Sequence, residues 1–388
     1  MDITITPGKL RGTVTAIPSK SQAHRLLICA AFADSPTRLV CPETNRDIEA
    51  TADCLRALGA DIQRTDAGYT VRPIGTIPYS AVLNCGESGS TLRFLLPIAG
   101  ALGVDATFCM DGRLPQRPLS PLWEEIERMG CSLSRPAVNT IRCQGKLKPG
   151  KYTIDGGVSS QFITGLLFAT SLIDGKSELS VTGNIESKPY IEMSKQAMAL
   201  FGAPRYRSPG SVTVEGDWSN AAFFLAANVL GSDLAVENLS SESAQGDRAV
   251  AALLPCLEEN ITIDASDIPD LVPILAVTAG AKQGAIFTGI GRLRIKESDR
   301  IASTIAMLTA LGGKAEATEN TLTVYGTGLT GGTVDACNDH RIAMAAAIAA
   351  TACSKQVTIL GAEAVNKSYP RFWEEYKRLG GQYELDIR

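Results

Sequence analysis

Apolar, alanine-rich stretches alternate with short β-branched runs along the whole chain. An apolar stretch of helical length ends, a glycine or small residue follows, and a strand-like run comes next. The strand-like runs lie at 35–40, 103–108, 175–181, 231–236, 284–288 and 354–360. Because helix and strand recurring in a fixed order are typical of a repeated supersecondary unit, the pattern predicts six α/β units.

A second recurring feature is a helix that closes on leucine, methionine or phenylalanine followed by glycine. Glycine there fits a left-handed helix C-cap that leads into a strand. The copies end at Gly59, Gly130, Gly202, Gly312 and Gly380. Most are about 70 residues apart, but one is missing between Gly202 and Gly312, and two intervals between strand-like runs shrink to about 55 residues. We therefore predict that two units are abridged, one of them after 246–248, which trims the outer layer of one domain.

The length, net charge and longest apolar run of the chain exclude several classes of protein. The 388 residues suffice for about two or three domains. The 37 basic and 41 acidic residues give a net charge of −4, which argues against a nucleic-acid partner, so any anion site must be built locally. The first residues resemble no signal peptide, and the longest apolar run, 342–353, is too short to span a bilayer. We expect a cytoplasmic protein without a membrane partner.

The ten cysteines predict neither a zinc site nor a disulfide framework. None forms a Cys-x-x-Cys pair, and only His24 and His340 could complete a Cys/His cluster. Most cysteines lie in apolar surroundings and are expected to be small buried hydrophobes in a reducing compartment. No metal site is predicted.

Cations lie at or near the starts of the alanine-rich helices. A buried helix start suits an anion, because it has free N–H groups and a positive dipole end. The serine and aspartate residues at these starts are expected as ordinary N-caps. A cation there opposes the dipole, and it occurs at Lys20, Arg25, Arg93 and Arg341. Several such cases indicate a shared anionic ligand.

The segment 292–300, Arg-Leu-Arg-Ile-Lys-Glu-Ser-Asp-Arg, carries four cations and two carboxylates. If it is helical, Lys296 and Arg300 share a face and Glu297 points elsewhere. Such a segment can hold an anion and keep a carboxylate for proton transfer. The plainer interpretation is a solvated helix start with internal ion pairs, in which Asp299 pairs with a neighbouring cation.

Further basic and acidic residues lie in tight, proline-braced loops. These are Arg113 and Arg117, the turn 187–190, Lys367 and Asp270. Each alone is typical of a surface loop or an N-cap. Together, with no Gly-x-x-x-x-Gly-Lys-Ser/Thr loop for ATP, they favour a site for two phosphorylated or carboxylated small molecules with acid–base chemistry between them.

Three motifs carry a family resemblance: 18–25 (Pro-Ser-Lys-Ser-Gln-Ala-His-Arg), 294–300 (Arg-Ile-Lys-Glu-Ser-Asp-Arg) and 338–341 (Asn-Asp-His-Arg). With 159–161, 187–190 and 268–270 between them, the chain resembles the 5-enolpyruvylshikimate-3-phosphate synthases of the enolpyruvyl transferase group. The resemblance implies an α/β (α+β) two-domain fold of six βαβαββ-type repeats, one or two of them abridged. It places one domain at 19–215 and the other at 1–18 plus 216–388, with the site between them.

The resemblance also implies a reaction. The enolpyruvyl group of phosphoenolpyruvate passes to the 5-hydroxyl of shikimate 3-phosphate through a tetrahedral intermediate, and phosphate is lost. The family uses no metal or organic cofactor, and a monomer is expected.

Residue roles follow from the same resemblance. The expected catalytic residues are Asp270, which takes the hydroxyl proton, Glu297, which protonates the methylene, and Lys20. The expected shikimate 3-phosphate site is Lys20, Ser21, Arg25, Ser159, Ser160, Gln161, Ser187, Tyr190, Asp270 and Lys296. The expected phosphoenolpyruvate site is Lys20, Gly89, Arg117, Gln161, Arg300, Arg341 and Lys367.

Two residues depart from the family pattern. Glu87 stands where asparagine is common, beside an expected phosphate site, and would need a cationic partner such as Arg93 or Lys20. Arg292 stands where an asparagine often contacts substrate. Two alternatives stay open: a UDP-N-acetylglucosamine carboxyvinyltransferase, disfavoured because 113–117 has no cysteine and Lys20 is followed by serine, and a non-catalytic anion-binding scaffold, which would not need both Asp270 and Glu297.

Overall fold

The computed structural model describes residues 1–386, over which the chain forms strands and helices in alternation. The strands are β1 Asp2–Thr6, β2 Arg11–Thr15, β3 Thr37–Val40, β4 Asp61–Thr65, β5 Gly68–Arg72, β6 Ser80–Asn84, β7 Asp105–Cys109, β8 Cys131–Ala137, β9 Thr140–Gly145, β10 Lys151–Asp155, β11 Glu178–Thr182, β12 Ser211–Thr213, β13 Asp233–Glu237, β14 Ile261–Asp264, β15 Gly284–Thr288, β16 Lys314–Ala317, β17 Thr321–Tyr325, β18 Gly332–Asp335, β19 Val357–Leu360 and β20 Gln382–Asp386.

The helices are α1 Lys20–Ala31, α2 Arg46–Ala57, α3 Gly89–Leu102, α4 Leu122–Arg128, α5 Ser160–Leu172, α6 Lys188–Leu200, α7 Trp218–Val229, α8 Val250–Cys256, α9 Val272–Ala281, α10 Arg300–Ala310, α11 His340–Ala349 and α12 Phe372–Arg378. Short 3-10 turns cover Leu114–Gln116, Gly246–Ala249, Pro269–Leu271, Gly291–Ile295 and Ala362–Lys367. Among the described residues, no helix is long and apolar enough to cross a membrane.

The chain divides into two compact units. The continuous unit is Pro18–Glu215, and the split unit combines Met1–Ile17 with the chain from Gly216 onward. Each unit has its own hydrophobic core, one built from residues between Ala23 and Val214 and the other from residues on either side of that stretch. Separate cores are what independent domains require.

The sheets repeat one design. Four of them have four strands, in the orders β12-β3-β5-β4, β6-β7-β9-β8, β14-β15-β17-β16 and β18-β19-β1-β20. In each, the first two strands are parallel and the later pairs are antiparallel. The parallel pair needs a helical crossover, whereas the antiparallel strands need only a tight turn.

Two repeats keep only the parallel pair, β10-β11 in the continuous unit and β2-β13 in the split unit. After α8 the chain runs directly into β14 of the next repeat, without an antiparallel hairpin. The prediction of six units with two abridged is confirmed, and so is the trimmed repeat after 246–248. These two repeats are shorter because they lack the antiparallel hairpin. They keep the parallel pair and its crossover helix.

The predicted glycine C-caps are confirmed. All five glycines have a positive φ, for example 107° at Gly59 and 115° at Gly130. A residue with a Cβ is strained in this conformation. Strands follow directly after four of the five glycines; after Gly202 no hairpin forms, since that repeat is abridged.

Each unit buries three of its helices almost completely: α1, α3 and α5 in the continuous unit, and α7, α9 and α11 in the split unit. Apart from α1, which carries polar and charged residues in its first half, their sequences are largely apolar, as expected for buried helices. Five of the six begin at a serine or aspartate N-cap; α9 begins on a proline-containing turn instead. Both units therefore contain buried helix starts.

Candidate functional site

Serine residues begin four helices of the continuous unit. Ser19, Ser88 and Ser159 cap α1, α3 and α5, and each hydroxyl oxygen accepts a backbone N–H of the first turn. Ser187 precedes α6 in a left-handed conformation, with φ 55°. Such a φ is unusual for a residue with a side chain, and strained backbone is concentrated at functional sites. The expected ligands Ser21, Ser160 and Gln161 lie in the first turns of these helices.

Arg25 is 2% exposed, and its hydrogen-bond partners among the described residues are neutral oxygens. Its Nε donates to Ser194 Oγ at 2.8 Å, and its Nη atoms donate to the carbonyls of Ser21 and Tyr190 at 2.6 and 2.8 Å. The guanidinium also lies 5.1 Å from the centre of the Phe94 ring. Burial lowers the pKa of Arg25 to about 10. Within residues 1–386 no carboxylate is in direct contact with this positive charge, which suits an anionic ligand.

Lys20 is the first residue of α1, and its Nζ lies 2.9 Å from Asp47 Oδ2. Both side chains are largely buried. Asp47 was not predicted as a site residue. Its only local signal is its place in the first turn of α2, where an acidic residue is common.

Gly89 begins α3 in a tight space between two guanidinium groups. A Cβ at this position would lie 2.5 Å from Arg93 Nη1 and 2.7 Å from Arg117 Nη1. Arg93 Nη1 donates to Gln161 Oε1 at 3.1 Å, and Gln161 Nε2 donates to Ser90 Oγ at 3.0 Å. Gly89, Arg117 and Gln161 are thus brought together, with Arg93 as a fourth member that was noted as a helix-start cation but given no site role.

Arg300 is the centre of the charged cluster in the split unit. It is 1% exposed and contacts three carboxylates: Asp339 Oδ2 at 2.9 Å, Asp270 Oδ1 at 2.8 Å and Glu297 Oε2 at 2.5 Å. Burial alone would lower the pKa of Arg300, but the three negative charges outweigh it and raise that pKa. This cation is neutralised by the protein itself.

Asp270 follows Pro269 in a short 3-10 turn, so it is a loop residue and not a helix cap. Its carboxylate also accepts from Arg341 Nη2 at 3.1 Å and from Lys296 Nζ at 3.4 Å. The side chain is 19% exposed, so solvent or a ligand can reach it. Burial lowers the pKa of Lys296, partly offset by the charge of Asp270.

The expectation of one helix through 296–300 is wrong. Gly291–Ile295 is a 3-10 turn, Lys296 is extended, and α10 starts only at Arg300. The reason is Asp299, whose carboxylate accepts the N–H of Ala302 and so caps α10. Asp299 also lies 3.6 Å from Arg294, which confirms the expected ion pair. Lys296 and Arg300 nevertheless converge, because both contact Asp270 Oδ1.

Asp339 was not predicted as a site residue. It is fully buried, caps α11 by accepting the N–H of Arg341 at 2.9 Å, and accepts from Ser298 Oγ at 3.1 Å. Burial would raise the pKa of Asp339, but the charge of Arg300 prevails and that pKa is lowered. Lys367, the last expected ligand of this unit, donates to the carbonyl of Asn338 at 2.8 Å, just before the same helix.

The two departures from the family pattern have defined positions. The Glu87 carboxylate packs against Gly112. A Cβ at position 112 would collide with this carboxylate, so the glycine leaves room for it. Arg292 Nη2 donates to the carbonyl of Ser266 at 3.0 Å, and its charge helps to lower the pKa of Lys296. Arg292 therefore lies near the Asp270 cluster. Within residues 1–386, no group of His, Cys, Asp and Glu side chains has an arrangement that could hold a metal ion.

Comparison with known proteins gives one consistent family. The family model described as EPSP synthase (3-phosphoshikimate 1-carboxyvinyltransferase) matches residues 5–262 and 252–376. A 3-phosphoshikimate 1-carboxyvinyltransferase of Clostridium kluyveri is 36% identical over 417 residues, covering 98% of this chain and 98% of that protein. One of Clostridium beijerinckii is 35% identical over 428 residues, covering 99% and 98%. Both alignments are longer than the 388 residues of this chain, so they contain gaps.

Solved structures agree on the fold. An EPSP synthase from Acinetobacter baumannii has a TM-score of 0.79 at 23% identity and covers 99% of this chain and 100% of its own. The enolpyruvyl transferase NikO from Streptomyces tendae has a TM-score of 0.74 at 18% identity, with coverages of 99% and 98%. The predicted fold class is confirmed. At these identities the likeness shows the fold alone, and the choice among enolpyruvyl transferases rests on the family model and the curated relatives.

Proposed function

The chain belongs to the EPSP synthase family, and from this premise we propose that it transfers the enolpyruvyl group of phosphoenolpyruvate to the 5-hydroxyl of shikimate 3-phosphate and releases phosphate. The observation that carries the proposal is the Asp270 cluster. It holds a solvent-accessible carboxylate among three cations, with a second carboxylate, Glu297, on the same arginine. This arrangement serves acid–base chemistry on anionic substrates.

Shikimate 3-phosphate is proposed to bind mainly through the continuous unit. Ser21, Ser159, Ser160 and Ser187 supply hydroxyl groups and N–H groups at helix starts, where an anion is stabilised by the dipole. Gln161 and Tyr190 add side-chain donors. Arg25 supplies a buried positive charge that no carboxylate contacts in the part of the chain that the structure describes. Arginine in this state gains most from a ligand carboxylate or phosphate.

Phosphoenolpyruvate is proposed to bind through cations from both units. In the continuous unit the candidates are Lys20, Arg117 and the N–H of Gly89, and a Cβ on Gly89 would lie 2.7 Å from Arg117 Nη1. In the split unit they are Arg300, Arg341 and Lys367. Asp47 is a counter-charge for Lys20, and a substrate anion would share or take over that contact.

The chemical steps need one base and one acid. Asp270 accepts the proton of the 5-hydroxyl while that oxygen bonds to C2 of phosphoenolpyruvate, and Glu297 donates a proton to C3, which becomes a methyl group. Phosphate then leaves with the electron pair of its C–O bond and takes up the proton held by Asp270, and C3 returns a proton to Glu297. Lys296, at 3.4 Å from Asp270, orients that carboxylate. Lys20 supplies positive charge for the departing phosphate.

The test is release of inorganic phosphate when the purified protein is mixed with both substrates. Release that requires both substrates supports the proposal. No release above background from protein that is folded by circular dichroism would refute it. Replacing shikimate 3-phosphate by UDP-N-acetylglucosamine tests the other carboxyvinyltransferase, which the matched family does not favour, and binding of both substrates without turnover would indicate a non-catalytic scaffold.

Two further properties stay predictions. The cytoplasmic location follows from the sequence features given above, and the monomeric state from the family resemblance. Size-exclusion chromatography with light scattering measures the oligomeric state, and a mass near 41.0 kDa is expected.

A further inference from the structure

A buried row of hydrogen bonds connects three helices of the continuous unit and has no place in the chemistry described above. It runs from His24 on α1 through Thr51 on α2 and Thr91 on α3 to the cap of α3. His24 Nδ1 lies 2.7 Å from Thr51 Oγ1, Thr51 Oγ1 lies 2.7 Å from Thr91 Oγ1, and Thr91 Oγ1 lies 2.7 Å from Ser88 Oγ. None of the four side chains is more than 1% exposed. Buried polar groups of this kind hold helices in one arrangement.

The number of available hydrogens decides which group donates in each hydrogen bond of the row. A hydroxyl group donates one hydrogen. Thr91 Oγ1 donates to Ser88 Oγ at 2.7 Å, which uses its one hydrogen, so in its 2.7 Å contact with Thr51 Oγ1 it accepts. Thr51 has then used its hydrogen and accepts from His24. The imidazole must therefore carry its hydrogen on Nδ1.

The other ring nitrogen is consistent with this tautomer. His24 Nε2 is buried and has no hydrogen-bond partner among the described residues. A ring nitrogen without a hydrogen fits this position better than an N–H group, because a buried N–H donor without an acceptor is costly. The ring stands perpendicular to Phe94, with centroids 6.3 Å apart. Burial, helped by the charges of Lys20 and Arg25, holds the pKa of His24 well below its ordinary value. The ring is neutral.

Each end of the row lies close along the chain to an expected ligand of phosphoenolpyruvate. His24 lies four residues after Lys20 on the same face of α1, and Lys20 contacts Asp47, the residue whose carbonyl lies near Thr91. At the other end, Ser88 caps α3 immediately before Gly89. A shift of either helix start by a fraction of an ångström would move an ammonium group or an N–H donor away from a bound anion.

We propose that His24 is a positioning residue, whose neutral Nδ1–H form fixes the starts of α1 and α3 so that Lys20 and the N–H of Gly89 meet the same anion. The inference rests on the proposed function only for the identity of that anion, phosphoenolpyruvate. His24 itself does not touch substrate. It acts through Thr51, Thr91 and Ser88.

The kinetic test uses two matched pairs of variants. In His24→Asn the amide nitrogen is the same number of bonds from Cβ as Nδ1 and keeps the donor, whereas His24→Leu removes it. Thr51→Ser keeps the hydroxyl, whereas Thr51→Val keeps the shape and removes it. We expect His24→Leu and Thr51→Val to raise KM for phosphoenolpyruvate about tenfold, with kcat within about threefold of wild type. His24→Asn and Thr51→Ser should stay within about twofold.

Equal kinetic effects in the two members of a pair, or a fall in kcat with KM unchanged, would overturn the proposal. A merely structural role would change unfolding midpoints without this split. If the wild-type protein shows no turnover, the proposed function fails separately, and calorimetric binding of phosphoenolpyruvate then provides the same comparison of variants.

The tautomer is tested without any substrate. In ¹⁵N-histidine NMR spectra His24 should show a protonated Nδ1 and an unprotonated Nε2, and the signals of His24 and His340, the only histidines, are assigned with His24→Asn. Thr51→Val should shift the Nδ1 signal, and Thr51→Ser should restore it. An Nε2–H form or a doubly protonated ring at neutral pH would overturn the proposal.

Discussion

The two units treat a buried arginine in opposite ways. Arg25 in the continuous unit binds hydroxyl and carbonyl oxygens, and burial lowers its pKa. Arg300 in the split unit binds three carboxylates, which raise its pKa. The first arginine keeps an uncompensated charge that a ligand can neutralise. The second is compensated by the protein and instead organises the carboxylates around it. We propose that Arg25 serves the binding of shikimate 3-phosphate and that the carboxylates around Arg300 serve proton transfer.

The largest effect is expected at Asp270. Asp270→Asn keeps the shape of the side chain but removes the base, so kcat should fall about 1,000-fold. Phosphate release under saturating substrates measures it. Asp299→Asn is the matched control, since it makes the same chemical change nearby and asparagine caps a helix equally well. Turnover reduced equally in both variants would contradict a specific role for Asp270.

Removing each arginine tests the contrast directly. Arg300→Met leaves Asp270, Glu297 and Asp339 without their shared cation, and the free energy of unfolding should fall by about 3–5 kcal/mol. Arg25→Met leaves no carboxylate uncompensated and should cost about 1 kcal/mol. Urea unfolding measures both. Similar losses in the two variants would mean that the two sites are not different in charge balance.

Gly89→Ala probes the anion-binding start of α3. The new Cβ would meet Arg93 Nη1 and Arg117 Nη1, which are the ends of flexible side chains, so the fold should survive while the guanidinium groups move. We expect KM for phosphoenolpyruvate to rise about tenfold, as for one lost charged hydrogen bond. Gly75→Ala is the control, because no atom lies within 4 Å of its added Cβ. An unchanged KM in Gly89→Ala would remove this helix start from the site.

A pH-dependent effect on stability alone is expected at Asp247 of the split unit. Burial and the charge of Asp270 raise the pKa of Asp247 to about 7, against the opposing charge of Arg341. The unfolded pKa is about 3.9, so the folded protein alone holds this proton between the two values. Stability from this group is complete below about pH 4 and is lost as the pH rises through about 7.

Asp247→Asn should therefore gain free energy of unfolding relative to wild type as the pH rises from 5 to 7, on the order of 1 kcal/mol per pH unit. Urea midpoints of both proteins at pH 5, 6, 7 and 8 measure this difference. Parallel curves for the two proteins would show that Asp247 does not titrate in this range.

Local and periodic features were predictable from the sequence. The glycine C-caps follow from residue identity at helix ends, and the abridged repeats follow from the shortened period, because a lost hairpin changes the spacing of everything after it. The error at 296–299 was also local. Ser298 and Asp299 are good N-cap residues and indicate a helix that starts after them. The charge spacing of Lys296 and Arg300 instead suggested a helix that already includes Lys296.

The charge partners could not be predicted in the same way. Asp47 meets Lys20 from 27 positions away, and Asp339 meets Arg300 from 39 positions away. These pairs depend on how helices pack within a unit, which no local pattern contains. The same holds for Arg93, whose contact with Gln161 joins α3 to α5. The resemblance named the expected substrate-binding residues, and the fold was needed to find the residues that contact them.

The most direct test of the central claim, that Arg25 serves substrate binding and Asp270 serves proton transfer, is the affinity for shikimate 3-phosphate. Titration calorimetry measures this affinity for wild type, Arg25→Met and Asp270→Asn. The account predicts that Arg25→Met weakens binding about 100-fold, as expected for loss of a charge-assisted contact of roughly 1.5–3 kcal/mol. Asp270→Asn should bind within about threefold of wild type, because its loss affects proton transfer and not the anion contact. Weak binding by Asp270→Asn together with normal binding by Arg25→Met would contradict it.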